Sequence, residues 1–185
     1  MHMTDTGASL SLRKPVSRMR DDIWLERGGR DAYTQKPRAF IREDEQNVDH
    51  VLEVQLVEHA ALDLLSTNRE LVSRFRDAVN TCANLNVTAR KVNQAKRGPF
   101  TAALNRLRKF DGGLREVSVE QLARTGRARW LVDEGIWANI EKQTVVSYDK
   151  LAANLNDARL TRAQTAIMEH AVDNLHRTLE KIQIM

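Results

Sequence analysis

The stretch NVDHVLEVQLVEHA, Asn47 to Ala60, holds a change of period. Up to Gln55 polar and apolar side chains alternate, as on a strand with one buried face. From Leu56 the apolar residues Leu56, Ala60, Leu64 and Leu65 recur at helical spacing. Asp49 and His50 stand side by side within the alternating part, where a strand built only for packing needs neither. They are either a solvated strand end or the reactive couple of an enzyme.

Upstream, AYTQKPRAFIREDEQNVDHVLEVQL reads as extended strands interrupted by a turn at Pro37, which disfavours helix. Before it, DDIWLERGGRDAY opens with a short amphipathic segment that breaks at Gly28-Gly29, and residues 1–20 read as a flexible segment. Downstream, Thr67 and Glu70 suggest a capping box for a second helix carrying Leu71, Val72, Phe75 and Val79. In NLNVTARKVNQAKRGPF, residues 84–100, Asn84 to Val87 reads as loop or short extended chain. Thr88 is the expected cap of a short helix that stops at Gly98, and a further helix runs from Pro99 to about Lys109. SVEQLARTG is a short helix capped by Ser118, residues 128–155 are mixed, and Asp157 to Gln183 forms a long amphipathic helix with Leu160, Ile167, Leu175, Leu179 and Ile182 along its stripe.

The chain has 185 residues, enough for one domain with a real core. No apolar run is long enough to cross a bilayer, so no membrane partner is expected. The N-terminus lacks the apolar segment of a secretory signal. A single cysteine, Cys82, excludes internal disulfides and argues against a cysteine-rich zinc site. Charge is uneven. Residues 84–115 carry eight cations against one acid, Asp111, a local +7 in a chain whose total is +4, so the remainder sums to −3. Such a block suits a polyanion, though a solvated helix face has the same composition.

On the helix expected after Thr88, Asn93 shares a face with Ala89, Arg90, Lys96 and Arg97. Facing the strand end of Asp49 and His50, it completes a set of carboxylate, imidazole, amide oxygen and cations. Hard oxygen ligands suit Mg²⁺ or Mn²⁺, an imidazole can take a proton from water, and cations can hold phosphate. Together these suit metal-assisted phosphodiester hydrolysis.

VDHVLE followed by NLNVTARKVNQAKRG resembles the signature of the HNH endonucleases, the ββα-metal motif, and RDAYTQKP is similar to the segment that precedes Asp-His in many of them. The resemblance covers residues 30–100. It implies that His50 is the general base, that Asp49 and Asn93 are the metal ligands, and that Asn84 holds the loop and through it the His50 ring. Lys96, with Arg97, Arg90 and Lys91, would bind phosphate. Glu53 is a secondary candidate. The step from His50 to Asn84 is longer than in compact motifs, so residues 55–80 read as a helical insertion after which the chain returns to the same place.

The expected architecture is an α+β domain over residues 21–185, predominantly helical, around a small ββα-metal motif. The expected function is a metal-dependent endonuclease acting on DNA ahead of RNA, with little sequence specificity because no reader module is evident. Its setting is either a toxin domain delivered into a target cell, with an inhibitory partner protein, or a cytoplasmic phage or defence nuclease. Two rivals stand beside this reading: a non-catalytic nucleic-acid-binding domain on the same scaffold, and an α-helical protein-interaction module.

Overall fold

The structure, a computed structural model, describes residues 11–66, 68–109, 116–155 and 160–185. It is mostly helical with one small antiparallel sheet, an α+β arrangement. Helix α1 spans Arg20–Glu26 and strand β1 Gln46–His50. Helices α2, Val54–Leu65, and α3, Arg69–Val79, fill the interval before strand β2, Leu85–Ala89. Helix α4, Arg90–Lys109, follows without a break. Then come α5, Val119–Thr125, α6, Arg129–Asp133, α7, Ile136–Leu155, and α8, Arg162–Lys181.

The excursion through α2 and α3 brings the chain back beside its starting point. β1 and β2 pair antiparallel, with Asp49 opposite Asn86 and His50 opposite Leu85. Both strands alternate, so each hairpin face has its own chemistry. Val48, Leu85 and Val87 turn to one side and pack with Val16, Ile23 and Trp24. Asn47, Asp49, Asn86 and Thr88 turn to the other side, which α4 covers. The larger core lies among α2 to α8, with Leu56, Leu65, Phe75, Phe100, Trp137 and Leu175 all buried.

Several local expectations are corrected. Residues 32–45 contain short 3-10 turns and an isolated bridge between Arg30 and Pro37, rather than strands. Pro37 and the three acids Glu43, Asp44 and Glu45 are poor strand material, and β1 is confined to the five residues Gln46–His50 that follow. Thr88 caps nothing, because it lies within β2, fully buried, and its hydroxyl donates to Asp31. The helix stop expected at Gly98 is absent, and α4 runs through Gly98 and Pro99. Pro99 and Phe100 are buried, so tertiary packing offsets the lost backbone bond. Asn68 caps α3, accepting from the backbone N–H groups of Glu70 and Leu71. Thr67, expected there, lies outside the described residues. Ser118 does cap α5, and a Thr161–Gln164 capping box starts α8 five residues later than expected, with Asp157 outside the described residues. The mixed segment 128–155 is helical, as α6 and α7.

Residues 11–20 do not hang free, although a flexible segment is expected there. Leu12 is fully buried, its N–H donates to Glu58 Oε1 at 2.8 Å, and its carbonyl accepts from Asn80 at 2.8 Å. The single buried leucine anchors a strap whose remaining residues, apart from Val16, stay exposed or half-exposed. Residues 1–10 lie outside the described part.

Candidate functional site

The α4-facing side of the hairpin is polar and yet buried. Asp49 is 5% exposed, and Asn86, Thr88 and Lys96 are fully buried. Buried polar groups persist only when paired, and a network supplies the partners. Asp31 accepts from Asn86 Nδ2 at 2.8 Å, from the Thr88 hydroxyl at 2.8 Å, from the Thr34 hydroxyl at 2.6 Å and from the Tyr33 N–H at 3.0 Å. Asn86 returns a bond by accepting from the Ala32 N–H. The loop after Arg30 is thereby tied to β2. That tie places the Tyr33 hydroxyl 2.7 Å from Asp49 Oδ2. Burial and the neighbouring Asp49 charge raise the Tyr33 pKa well above its usual value, so the phenol stays protonated and donates.

Lys96, one turn after Asn93 on α4, ends in the same place. Its Nζ lies 2.6 Å from Asp49 Oδ2, 2.6 Å from the His50 carbonyl oxygen and 3.0 Å from Glu53 Oε1. The rings of Tyr33 and Phe100 flank it at 5.4 and 5.8 Å. Three oxygens therefore surround one ammonium. Burial raises the Asp49 pKa to about 6, against the lowering pull of Lys96. Burial lowers the Lys96 pKa, but the two carboxylates outweigh it and the net shift is upward. At neutral pH the ion pair is therefore charged. The Glu53 contact is a Coulombic one, since Oε1 makes no hydrogen bond of good geometry.

His50 follows Asp49 in the chain, and the strand alternation sends its ring to the other side of the hairpin. There Nε2 lies 2.9 Å from Asn80 Oδ1. The Asn80 amide nitrogen is spent on the carbonyls of Leu12 and Arg76, and Oδ1 also accepts from the Lys14 N–H. Nε2 is therefore the protonated nitrogen, and the lone pair sits on Nδ1. Burial lowers the His50 pKa, so the ring is neutral at physiological pH. Asn84 lies just beyond. Its Oδ1 accepts from the Leu52 N–H at 2.8 Å, its amide donates to the carbonyls of Leu52 and Val79, and its own carbonyl accepts from the Val51 N–H. It pins the turn that leaves β1, while Asn80 holds the ring itself.

Asn93 and Asp49 share the α4 side of the hairpin, but Asn93 meets a different strand residue, its amide donating to Asn47 Oδ1 at 2.9 Å. Arg90, Lys91 and Arg97 are exposed along α4 beside it. Lys96 is the exception among the four cations expected to bind phosphate: with no exposed surface and three oxygen neighbours, it has neither access nor spare charge for one. The structure thus brings Asp49, Asn93, Lys96 and Glu53 to one side and leaves His50 on the other. Asn84 stands at the strand end between them. Among the described residues no group of three or more His, Cys, Asp or Glu side chains is arranged to hold a metal. Asp49 and Glu53 offer hard oxygen donors, but Lys96 Nζ already lies 2.6 and 3.0 Å from them, and the Asn93 amide is bonded to Asn47 instead. A metal at Asp49 would take over the place in the charge balance that Lys96 now fills.

Asp31, Tyr33, Asn47, Asn80, Asn86 and Thr88 carry this arrangement; none is a site candidate from sequence, and Thr88 is expected there only as a helix cap. The signal for two of them was present. LNVTA alternates with Asn86 and Thr88 as its polar residues, as a strand with one polar face must. No family model matches the chain, and neither a curated protein nor a solved structure shows significant similarity to it.

Proposed function

We propose that the chain is a metal-dependent endonuclease of the HNH class, hydrolysing phosphodiester bonds of DNA with little sequence preference. The observation that supports this best is topological. Two antiparallel strands run straight into a basic helix, and Asp49 and Asn93 face each other's element across the same side of the hairpin. On this reading Asp49 and Asn93 hold Mg²⁺ or Mn²⁺, which supplies Lewis-acid stabilisation of the phosphate charge. Arg90, Lys91 and Arg97 bind the backbone on either side of the scissile bond. His50 begins in its neutral, proton-accepting form. Its ring lies on the other side of the hairpin from Asp49, bonded to Asn80, so this role requires it to leave that partner.

One specific observation favours a second reading. Lys96 already neutralises Asp49, and His50 is committed to Asn80, which is what a non-catalytic nucleic-acid-binding domain on this scaffold would retain. Nicking of supercoiled plasmid in Mg²⁺, with and without EDTA, beside His50→Ala, separates the two. Metal-dependent cutting lost in the variant supports the enzyme. Retardation of DNA without cutting supports the binder. A toxin with an inhibitory partner, or a cytoplasmic phage or defence nuclease, remains the proposed setting.

A further inference from the structure

Phe40 is 76% exposed at the tip of a 3-10 turn, while the next residue, Ile41, is buried. A lone exposed phenylalanine is unremarkable by itself. This one lines a hollow of about 130 Å³ whose other walls include Trp130, Lys36 and Lys91. Trp130 is half-buried, and the Lys91 ammonium lies 5.4 Å from the centre of its ring. The hollow shares Glu45, Ala89 and Lys91 with a second one of about 300 Å³ that includes Arg90 and Gln94. A continuous groove therefore leads from the first turn of α4 to the two aromatic rings.

The groove carries charges of both signs. Lys36, Arg90 and Lys91 are exposed cations. Glu45 and Glu134 line the first hollow together with Lys36 and Lys91, and Asp44 lines the second beside Arg90. Carboxylates there repel a phosphate but can accept hydrogen bonds from the amino edge of a base. Cations on the walls of an aromatic recess can hold a backbone while the recess admits a ring.

We propose that this groove binds single-stranded nucleic acid, with one unpaired base stacked on Phe40 and Trp130 and the flanking phosphates on Lys36, Lys91 and Arg90. The inference rests on the nucleic-acid part of the proposed function and deepens it, since it selects unpaired over duplex strands. A base inside a duplex keeps both faces stacked on its neighbours and cannot enter the recess.

The test is equilibrium binding of a mixed-sequence 12-nucleotide DNA strand in EDTA, read by tryptophan fluorescence and by anisotropy of a labelled strand. Trp24 and Trp137 are buried, so quenching reports Trp130. Wild type is expected to bind with quenching, and Trp130→Phe to lose the quench. Phe40→Ala, a change at an exposed position that leaves the core intact, is expected to weaken binding about ten-fold. The matching duplex should bind Phe40→Ala as it binds wild type. Absence of single-strand binding, or binding that neither quenches Trp130 nor depends on Phe40, overturns the proposal. Because no metal is present, a protein that fails to nick plasmid yet shows Phe40-dependent quenching loses the endonuclease reading and keeps this one. Nicking without Phe40 dependence does the reverse.

Discussion

Asp49 and His50 are neighbours in the chain and face opposite sides of the β-hairpin. Asp49 Oδ2 lies 2.6 Å from Lys96 Nζ, whereas His50 Nε2 lies 2.9 Å from Asn80 Oδ1. The two are joined through the backbone, because the His50 carbonyl also accepts from Lys96. One ammonium therefore ties together the acid, the chain of the imidazole residue and Glu53.

Removing that ammonium should be costly. Lys96→Met leaves two buried carboxylates facing each other without a counter-charge, a loss of about 3–5 kcal/mol by analogy with broken buried ion pairs. Denaturant unfolding of the variant measures it. A loss below about 1 kcal/mol would mean that water reaches the cluster and that Lys96 is not its keystone.

Asn84→Ala should destabilise by about 1–3 kcal/mol, because it strands the buried N–H of Leu52 and the carbonyl of Val79. Faster amide exchange at Leu52 than in wild type would locate the effect at the turn after β1. Unchanged exchange there would place the role of Asn84 elsewhere.

The His50 contribution to stability should fall as pH drops through the ordinary histidine value of 6.5. Burial lowers the folded-state pKa of His50, so the unfolded chain takes up the proton first and acid favours unfolding. Asp49 acts with the opposite sign, since its folded value of about 6 lies above its ordinary 3.8 and acid in that window favours the folded state. The histidine part is therefore read as the difference between wild type and His50→Gln across pH 5 to 7, roughly the span over which an ordinary histidine titrates. A difference that does not shrink with acidification contradicts the burial of the ring.

The architecture was legible in part, and the reasons differ by element. Helical spacing at Leu56 to Leu65 and at Leu71 to Val79 is strong, and both helices form. A strand at Asp49 and His50, a helical excursion and a return to a basic helix also follow from the sequence. What escaped it was long-range. Sequence leaves Asn84 to Val87 open between loop and short extended chain, because the polar face of β2, Asn86 and Thr88, is covered by a helix and satisfied by Asp31, fifty-five and fifty-seven residues away. Lys96 looked like a surface cation because helical spacing gives a face but not what lies opposite it. Gly98-Pro99 has the local chemistry of a helix stop, but the burial of Pro99 and Phe100 carries α4 through it. Alternation along a strand sends Asp49 and His50 to opposite faces, whereas the resemblance places both at one metal site.

Arg97→Ala, on the exposed side of α4, should weaken binding to duplex DNA alike for all sequences. The slope of log affinity against log salt should fall by about 1. Lys96→Met should leave that slope unchanged wherever the variant folds, because its charge faces inward. A slope that responds to Lys96 and ignores Arg97 would reverse the assignment of inner and outer cations.

Uptake of Mn²⁺ followed by electron paramagnetic resonance, for wild type and Asn93→Ala without nucleic acid, probes the hairpin most directly. One tight site in the wild type, weakened at least ten-fold in the variant, is the result expected if Asp49 and Asn93 share a divalent cation. No uptake, or uptake indifferent to Asn93, would contradict metal-dependent hydrolysis at this hairpin and leave Lys96 as its permanent cation.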